Sequence, residues 1–261
     1  MTDKAAVLRK LHRGPNTLVL PNAWDAASAR IFERAGFPAI ATTSAGIAFA
    51  LGYPDGQKIP RAEMIDMIAR IARAVKVPVT ADAEAGYDDP VATARALWSI
   101  GAVGMNIEDT EGAGLVDIVP RIRAIRAAVP EMVLNARTDI FLNAIGEESS
   151  RFDRAVERLN AYADAGADCV FAPGVTDRNV IARLVKAIRA PLNILATAGS
   201  PPIAEMQTMG VARVSVGSAP MRATMGLTDR IARELHDLGT YRSMLDGAIP
   251  YADANRLFGR E

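Results

Sequence analysis

Three groups of charged residues recur along the chain, each at the end of an apolar run. Asp82 and Glu84 close PVTADAE (78–84), Glu108 and Asp109 close AVGMNIED (102–109), and Arg137 and Asp139 stand at the end of MVLNART (132–138) and just beyond it. Residues two apart on a strand face the same way, so Asp82 and Glu84 project together. Carboxylates that converge without a counter-charge repel one another and take up protons. A divalent cation removes that conflict. Oxygen-only donors with no His or Cys nearby suit a hard ion, Mg2+ or Mn2+, better than zinc. Asp82, Glu84 and Glu108 are the expected cage, with Asp55 close by through water. Arg137 is always charged and forked, which suits it to clamp a substrate carboxylate or phosphonate. The plainer alternatives are solvated loop acids, and an ion pair between Arg137 and Asp139 or a mouth acid.

Such residues act together only if their strands end at one face. Eight apolar runs recur, at 17–22, 38–44, 78–84, 102–109, 132–138, 169–173, 191–196 and 213–217. Between them lie helix-like stretches at 25–35, 61–75, 90–100, 117–128, 149–165, 177–189 and 202–209, and helical material continues from about 219 to 257. Asp25, Asp89 and Ser149/Ser150 are expected N-caps, and Gly36, Gly101 and Gly166 expected helix stops. The runs are nearly continuous in apolar residues, as in parallel strands covered on both faces. Eight of them alternating with helices predict an α/β fold of the (β/α)8 TIM-barrel type, with a C-terminal helical extension. The rival, a doubly wound open sheet, usually carries a Gly-rich nucleotide turn after an early strand, and none is visible. Barrel active sites sit at the C-terminal ends of the strands. Thr42-Thr43-Ser44 and Asn193 then join the same mouth, and the 17-residue connection 45–61 is the long loop beside it.

Composition narrows the chemistry. The 261 residues carry 30 basic and 30 acidic side chains, a formal net charge of zero that argues against a nucleic-acid partner. No apolar stretch is long enough for a membrane span, and residues 1–14 read as a short amphipathic helix rather than a secretory signal. A cytoplasmic location is the expectation. Cys169 is the single cysteine and reads as a small core residue; His12 and His236 are the only histidines and are expected at the surface. Only five of the 30 basic residues are Lys, none on an expected strand, which excludes a Schiff-base aldolase. Gly199-Ser200 and Gly217-Ser218 follow the last two strands, a faint phosphate signal.

LPNAWDAASARIFERAGFPAI, TTSAGIAFALGYPDG, VPVTADAEAGYDDP, GAVGMNIEDT, LNARTDIFL, AYADAGADCVFAPG and APLNILA, in order over about residues 14–220, together resemble the isocitrate lyase/phosphoenolpyruvate mutase superfamily. The resemblance implies an α/β barrel and a Mg2+ site at Asp82, Glu84 and Glu108, with Asp82 the most direct ligand and the others acting largely through water. It implies that Asp55 is the family's motif acid in the loop after the second strand. Thr43, Ser44 and Ala45 would form the turn whose N–H groups hold the substrate's oxo-acid end. Arg137 would bind the substrate carboxylate, and Asn193 would line the same pocket. It also implies homo-oligomers, dimers or tetramers, so residues 1–261 are expected to form one barrel domain whose tail from about 219 serves association.

Departures from the family pattern matter for the substrate. The family's lyases carry a Lys-Lys-Cys-Gly-His loop after the fourth strand; here NIEDT is followed by EGAGLVDIVPRIRAIR, with no Cys, Lys or His. Proton transfer then falls to a carboxylate, Tyr87 or metal-bound water. Gly174 stands where methylisocitrate lyases carry an acid, which implies a more open mouth. The expected reaction is Mg2+-dependent cleavage of a C–C bond in a small 2-oxo or 2-hydroxy acid through a pyruvate-type enolate, with oxaloacetate-like decarboxylation favoured because CO2 leaves without acid catalysis. P–C bond chemistry and an oxo-acid-binding barrel with little turnover stay open as alternatives.

Overall fold

The computed structural model describes residues 1–111 and 114–259. The helix α1 (Thr2–Leu11) precedes a strand broken into β1 (Leu18–Leu20) and β2 (Asn22–Ala23). There follow α2 (Ala26–Arg34), β3 (Ile40–Thr42), α3 (Ser44–Ala50), α4 (Arg61–Ala74), β4 (Val79–Asp82), α5 (Pro90–Ser99) and β5 (Gly104–Glu108). A short antiparallel hairpin, β6 (Thr110–Glu111) and β7 (Gly114–Leu115), leads to α6 (Val119–Ala128), β8 (Val133–Arg137), α7 (Glu148–Asp164) and β9 (Cys169–Ala172). Then come α8 (Arg178–Ala187), β10 (Leu192–Leu195), α9 (Ile203–Met209), β11 (Arg213–Ser215) and α10 (Ala219–Arg233). A π-helical turn (Glu234–Leu238), α11 (Arg242–Leu245) and α12 (Tyr251–Phe258) complete the described chain.

The sheet is parallel, in the order β1-β11-β10-β9-β8-β5-β4-β3-β2. β1 and β2 flank Pro21, which has no N–H to give a ladder, so the first strand pairs with β11 before it and with β3 after it. That break closes eight strands into a TIM barrel. All eight apolar runs are strands.

Alternation along each strand sorts the side chains. Val79, Ala81, Met105, Ile107, Leu134, Ala136, Val170, Ile194 and Val214 join the core under the surrounding helices. The other face fills the barrel. At its N-terminal end Leu8 and Ala5 of α1 pack with Leu18, Leu20, Ala39, Ala41, Val103 and Val133 as an apolar floor. Gly104 makes room for the plug: a Cβ there would lie 2.9 Å from Leu8 Cδ2 and 2.8 Å from Thr80 Oγ1. Arg9 fastens α1 to Asp168 at 2.7 Å, and Asp168 also takes the Arg126 guanidinium (2.6 Å) and the Leu134 N–H (2.9 Å). Burial alone would raise the Asp168 pKa, but these donors hold it below the usual carboxylate value.

Asp25 caps α2 in a reciprocal box with Ser28, and Asp89 accepts from the N–H groups of Val91 and Ala92. Ser149 and Ser150 do not cap α7: it begins at Glu148, and the Ser150 hydroxyl donates to the Glu147 carbonyl. His12 is not a surface residue. It is 3% exposed at the end of α1, with its pKa lowered to about 4 by burial and by the nearby Arg213 charge. His236 is exposed and Cys169 fully buried. Among the described residues no helix is long and apolar enough to cross a membrane.

Candidate active site

The ladder register builds the site. Asp82 stands opposite Asn106, Asn106 opposite Asn135, and Glu108 opposite Arg137. Arg137 Nη1 therefore meets Glu108 Oε2 at 2.8 Å. Two further bonds, from Nε and from Nη2 (3.0 Å), run to Asp139, so the ion-pair alternative for Arg137 is realised. Five N–H donors less the three used leave two on the guanidinium. Its charge lies 5.9 Å from the centre of the Phe171 ring. Burial alone would lower its pKa, but Glu108 and Asp139 more than reverse that.

Asp82 is held by neighbouring strands. Its N–H donates to Thr42 Oγ1 (2.9 Å), and its Oδ2 accepts from the Ser44 N–H (3.1 Å) and hydroxyl (2.8 Å). Thr43 caps α3 by accepting from the Gly46 N–H at 3.2 Å, so Thr43, Ser44 and Ala45 form the first turn of a helix that faces Asp82.

Glu84 is only 4% exposed, and its Oε1 has no hydrogen-bond partner among the described residues. Burial, then the charges of Asp82 and Asp55, push its pKa up to about 7. Glu108 rises to about 8: burial dominates, Arg137 opposes it, and Asp139, Asp82 and Glu84 add to it. The buried Tyr87 hydroxyl also lacks a partner, and burial, Glu84 and Asp82 raise its pKa well above the usual phenol value. Asp55 is on the exposed loop between α3 and α4, near enough to Glu84 to affect its charge.

Proton-hungry acids around an oriented carboxylate are what an oxygen-liganded cation would relieve, so the donor set fits Mg2+ or Mn2+. The fit is looser than a three-acid cage. Among the described residues no three His, Cys, Asp or Glu side chains are grouped closely enough to hold one ion directly. Asp82 is the oriented carboxylate, and Glu84 and Glu108 stand around it.

Several expected contributors are placed elsewhere. Asp109 is fully buried and turned away from the mouth, accepting from Arg158 (2.8 Å), Tyr162 of α7 (2.8 Å) and the Asp139 N–H (3.0 Å). Asn193 lies fully buried in the barrel, hydrogen-bonded to Ser215. The mouth is not opened at Gly174: a Cβ there would lie 2.6 Å from Leu142 Cα, because the β8–α7 connection crosses that space. The Val216 and Gly217 N–H groups both donate to Asn22 Oδ1 at 2.9 Å, so they are not free to hold phosphate. Trp24 packs edge-on against Phe32.

Beneath the acids lies a polar layer the sequence reading missed. Asn135 donates to Asn106 Oδ1 at 2.8 Å, and Asn106 points its amide at Asp82 Oδ1 at 3.5 Å. Arg213 is 1% exposed, donates to Ser215 Oγ at 3.2 Å, and has its pKa lowered to about 10 by burial. Each stands two residues before a recognised polar position (Glu108, Arg137) or another barrel-facing one (Ser215), so the period of two was the available signal.

The family model for phosphoenolpyruvate phosphomutase matches residues 8–236. The chain belongs to the isocitrate lyase/phosphoenolpyruvate mutase superfamily. It is 30% identical to a 2-methylisocitrate lyase from Aeropyrum pernix, over 92% of this chain and 82% of that one. It is also 30% identical to an oxaloacetate decarboxylase from Rhodopseudomonas palustris, over 95% of this chain and 87% of that one. Among solved structures it resembles oxaloacetate acetylhydrolase bound to oxalate, with a TM-score of 0.86 at 27% identity over 99% of this chain and 94% of that one. The superfamily thus spans several reactions on small carboxylic acids, and equal identity to a lyase and a decarboxylase leaves the choice to the site.

Proposed function

We propose that the protein is a Mg2+-dependent lyase that breaks a C–C bond of a small 2-oxo or 2-hydroxy carboxylic acid, with decarboxylation of an oxaloacetate-like acid favoured. The observation that carries this is the mouth's charge. Asp82, Glu84, Glu108 and Asp139 act on Arg137, and Asp55 adds its charge beside Glu84, while the substrates of the named relatives are themselves anions. An anion enters such a mouth only with a cation. A Mg2+ ion held by Asp82, with Glu84 and Glu108 acting through water, would supply Lewis-acid stabilisation to the enolate oxygen that develops as the bond breaks.

The chain's own residues do the rest. Ser44 orients Asp82. In the turn at Thr43, Ser44 and Ala45 the Thr43 and Ser44 N–H groups go to the Ala23 carbonyl and to Asp82, which leaves the Ala45 N–H for the oxo-acid end. The two uncommitted N–H groups of Arg137 bind a carboxylate. Asn193, buried in the barrel, holds Ser215 rather than facing the substrate. Proton delivery is the weak point of a lyase that must deprotonate a hydroxyl. Cys169 is buried with its pKa pushed up to about 12, His12 lies at the floor, and His236 is exposed on the tail. The groups left are Tyr87, Glu84 and Asp55, which suits a reaction where CO2 departs unaided and one proton returns to carbon. The exposed apolar side chains of the tail, Leu235, Leu238, Leu245 and Tyr251 among them, support its use in association of copies.

Purified protein with Mg2+ is offered oxaloacetate, methylisocitrate and phosphonopyruvate, and pyruvate is followed. Pyruvate from oxaloacetate well above the metal-only rate is expected. Pyruvate from methylisocitrate with none from oxaloacetate would overturn decarboxylation, and turnover of phosphonopyruvate alone would move the activity to P–C chemistry.

A further inference from the structure

Four non-glycine residues among those described have a left-handed backbone: Gln57 (φ 56°), Glu84 (φ 51°), Tyr87 (φ 59°) and Ala144 (φ 49°). For side chains with a Cβ this conformation is uncommon, and it persists where the surroundings over-determine it. Three of the four form one cluster. The Gln57 side-chain carbonyl accepts from the Tyr87 N–H at 2.9 Å, and its main chain lies close enough to the Glu84 carboxylate to favour the charged form. The turn carrying Glu84 and Tyr87 is pinned from its other side as well. Thr93 donates to the Gly86 carbonyl at 2.9 Å, and the Gly86 N–H closes onto Ala83 at 2.8 Å. Gln57 stands two residues after Asp55 on the α3–α4 loop, which is otherwise mostly exposed.

We propose that Gln57 is the positioning residue that joins the Asp55 loop to the Glu84–Tyr87 turn, so that the outer acids are presented to the cation and substrate as one rigid unit. With its backbone in the left-handed region, Gln57 sits beside Glu84 while its side chain reaches to the Tyr87 N–H, so one residue spans both loops. A Gly would keep the backbone geometry and lose the side-chain tie. A Glu would keep an acceptor oxygen at the same reach. The inference rests on the cation site of the proposed function.

The test measures amide hydrogen exchange over residues 51–60 and 83–89, together with Mn2+ affinity by electron paramagnetic resonance, in the natural protein and in Gln57→Gly, Gln57→Glu and Asp82→Ala. Gln57→Gly should speed exchange in both segments and weaken Mn2+ binding about 10-fold, the usual scale for a residue that orients a ligand without touching the metal. Gln57→Glu should restore most of the protection. Unchanged exchange in Gln57→Gly overturns the tie. Faster exchange with unchanged Mn2+ affinity, where Asp82→Ala abolishes binding, overturns the positioning role and leaves the cation site standing. Mn2+ binding that survives Asp82→Ala removes the cation site itself.

Discussion

The two ends of the barrel treat their acids in opposite ways. At the floor Asp168 receives two guanidinium groups and a backbone N–H, and its pKa lies below the usual carboxylate value. At the mouth Glu84 and Glu108 are pressed together with Asp82, and their pKa values rise to about 7 and about 8. The floor is plugged by Leu8 and lined by apolar side chains, whereas the mouth keeps unpartnered oxygens on Glu84 and Tyr87 and three left-handed residues. One end is built to hold the barrel shut and the other is kept in electrostatic conflict that a bound cation would resolve. The contrast is not complete: Asn135 Oδ1, Thr138 Oγ1 and Arg213 Nη2 also lack partners among the described residues, and so does His12 Nε2 at the floor.

The contrast should separate stability from binding. Leu8→Ala removes the centre of the floor and should cost about 2–5 kcal/mol of stability, read by denaturant unfolding, while Mn2+ affinity stays unchanged. A variant that loses both would break the distinction between the ends.

Asp168→Asn comes next. It leaves Arg9 and Arg126 without their anion and should cost about 2–3 kcal/mol at neutral pH, with the deficit shrinking in acid. The sign follows from the lowered pKa of Asp168. Its stabilisation is present above the unfolded-state value and is lost as pH falls through the folded-state value.

How much of this was legible in the sequence also differs between the ends. All eight strands could be read because parallel strands buried on both faces leave unbroken apolar runs. The mouth acids were legible because charge at the end of such a run is conspicuous. The missed features depend on which neighbour a side chain meets. The short helix α3 is written in SAGIAFA, small and apolar residues without a polar face to show a helical period. His12 looks like a surface residue in a charged helix end, yet the chain turns it under the barrel. Asp109 and Glu108 are adjacent acids, and strand alternation sends one outward to Arg158 and the other to Arg137. Gln57 carries no sequence signal, since its role comes from a backbone conformation that loop composition does not encode.

A smaller and more pointed effect concerns pH. Raised carboxyl pKa values mean that the folded protein keeps protons the unfolded chain has shed. Without metal, the mouth's contribution to stability should therefore fall as pH rises from about 5 to about 8. Saturating Mg2+ should flatten that fall, and Mn2+ affinity should climb over the same interval as protons leave. Melting curves at several pH values, with and without Mg2+, read both trends. A fall of equal depth in Mg2+ would detach the mouth acids from the cation.

The most direct measurement is a Mn2+ titration of the natural protein and of Asp82→Ala at pH about 8, with unfolding curves recorded on both. One Mn2+ site in the natural protein that vanishes in a variant still fully folded is the predicted result. Equal Mn2+ binding by the two proteins, or none by either, would contradict the assignment of the mouth acids to a cation.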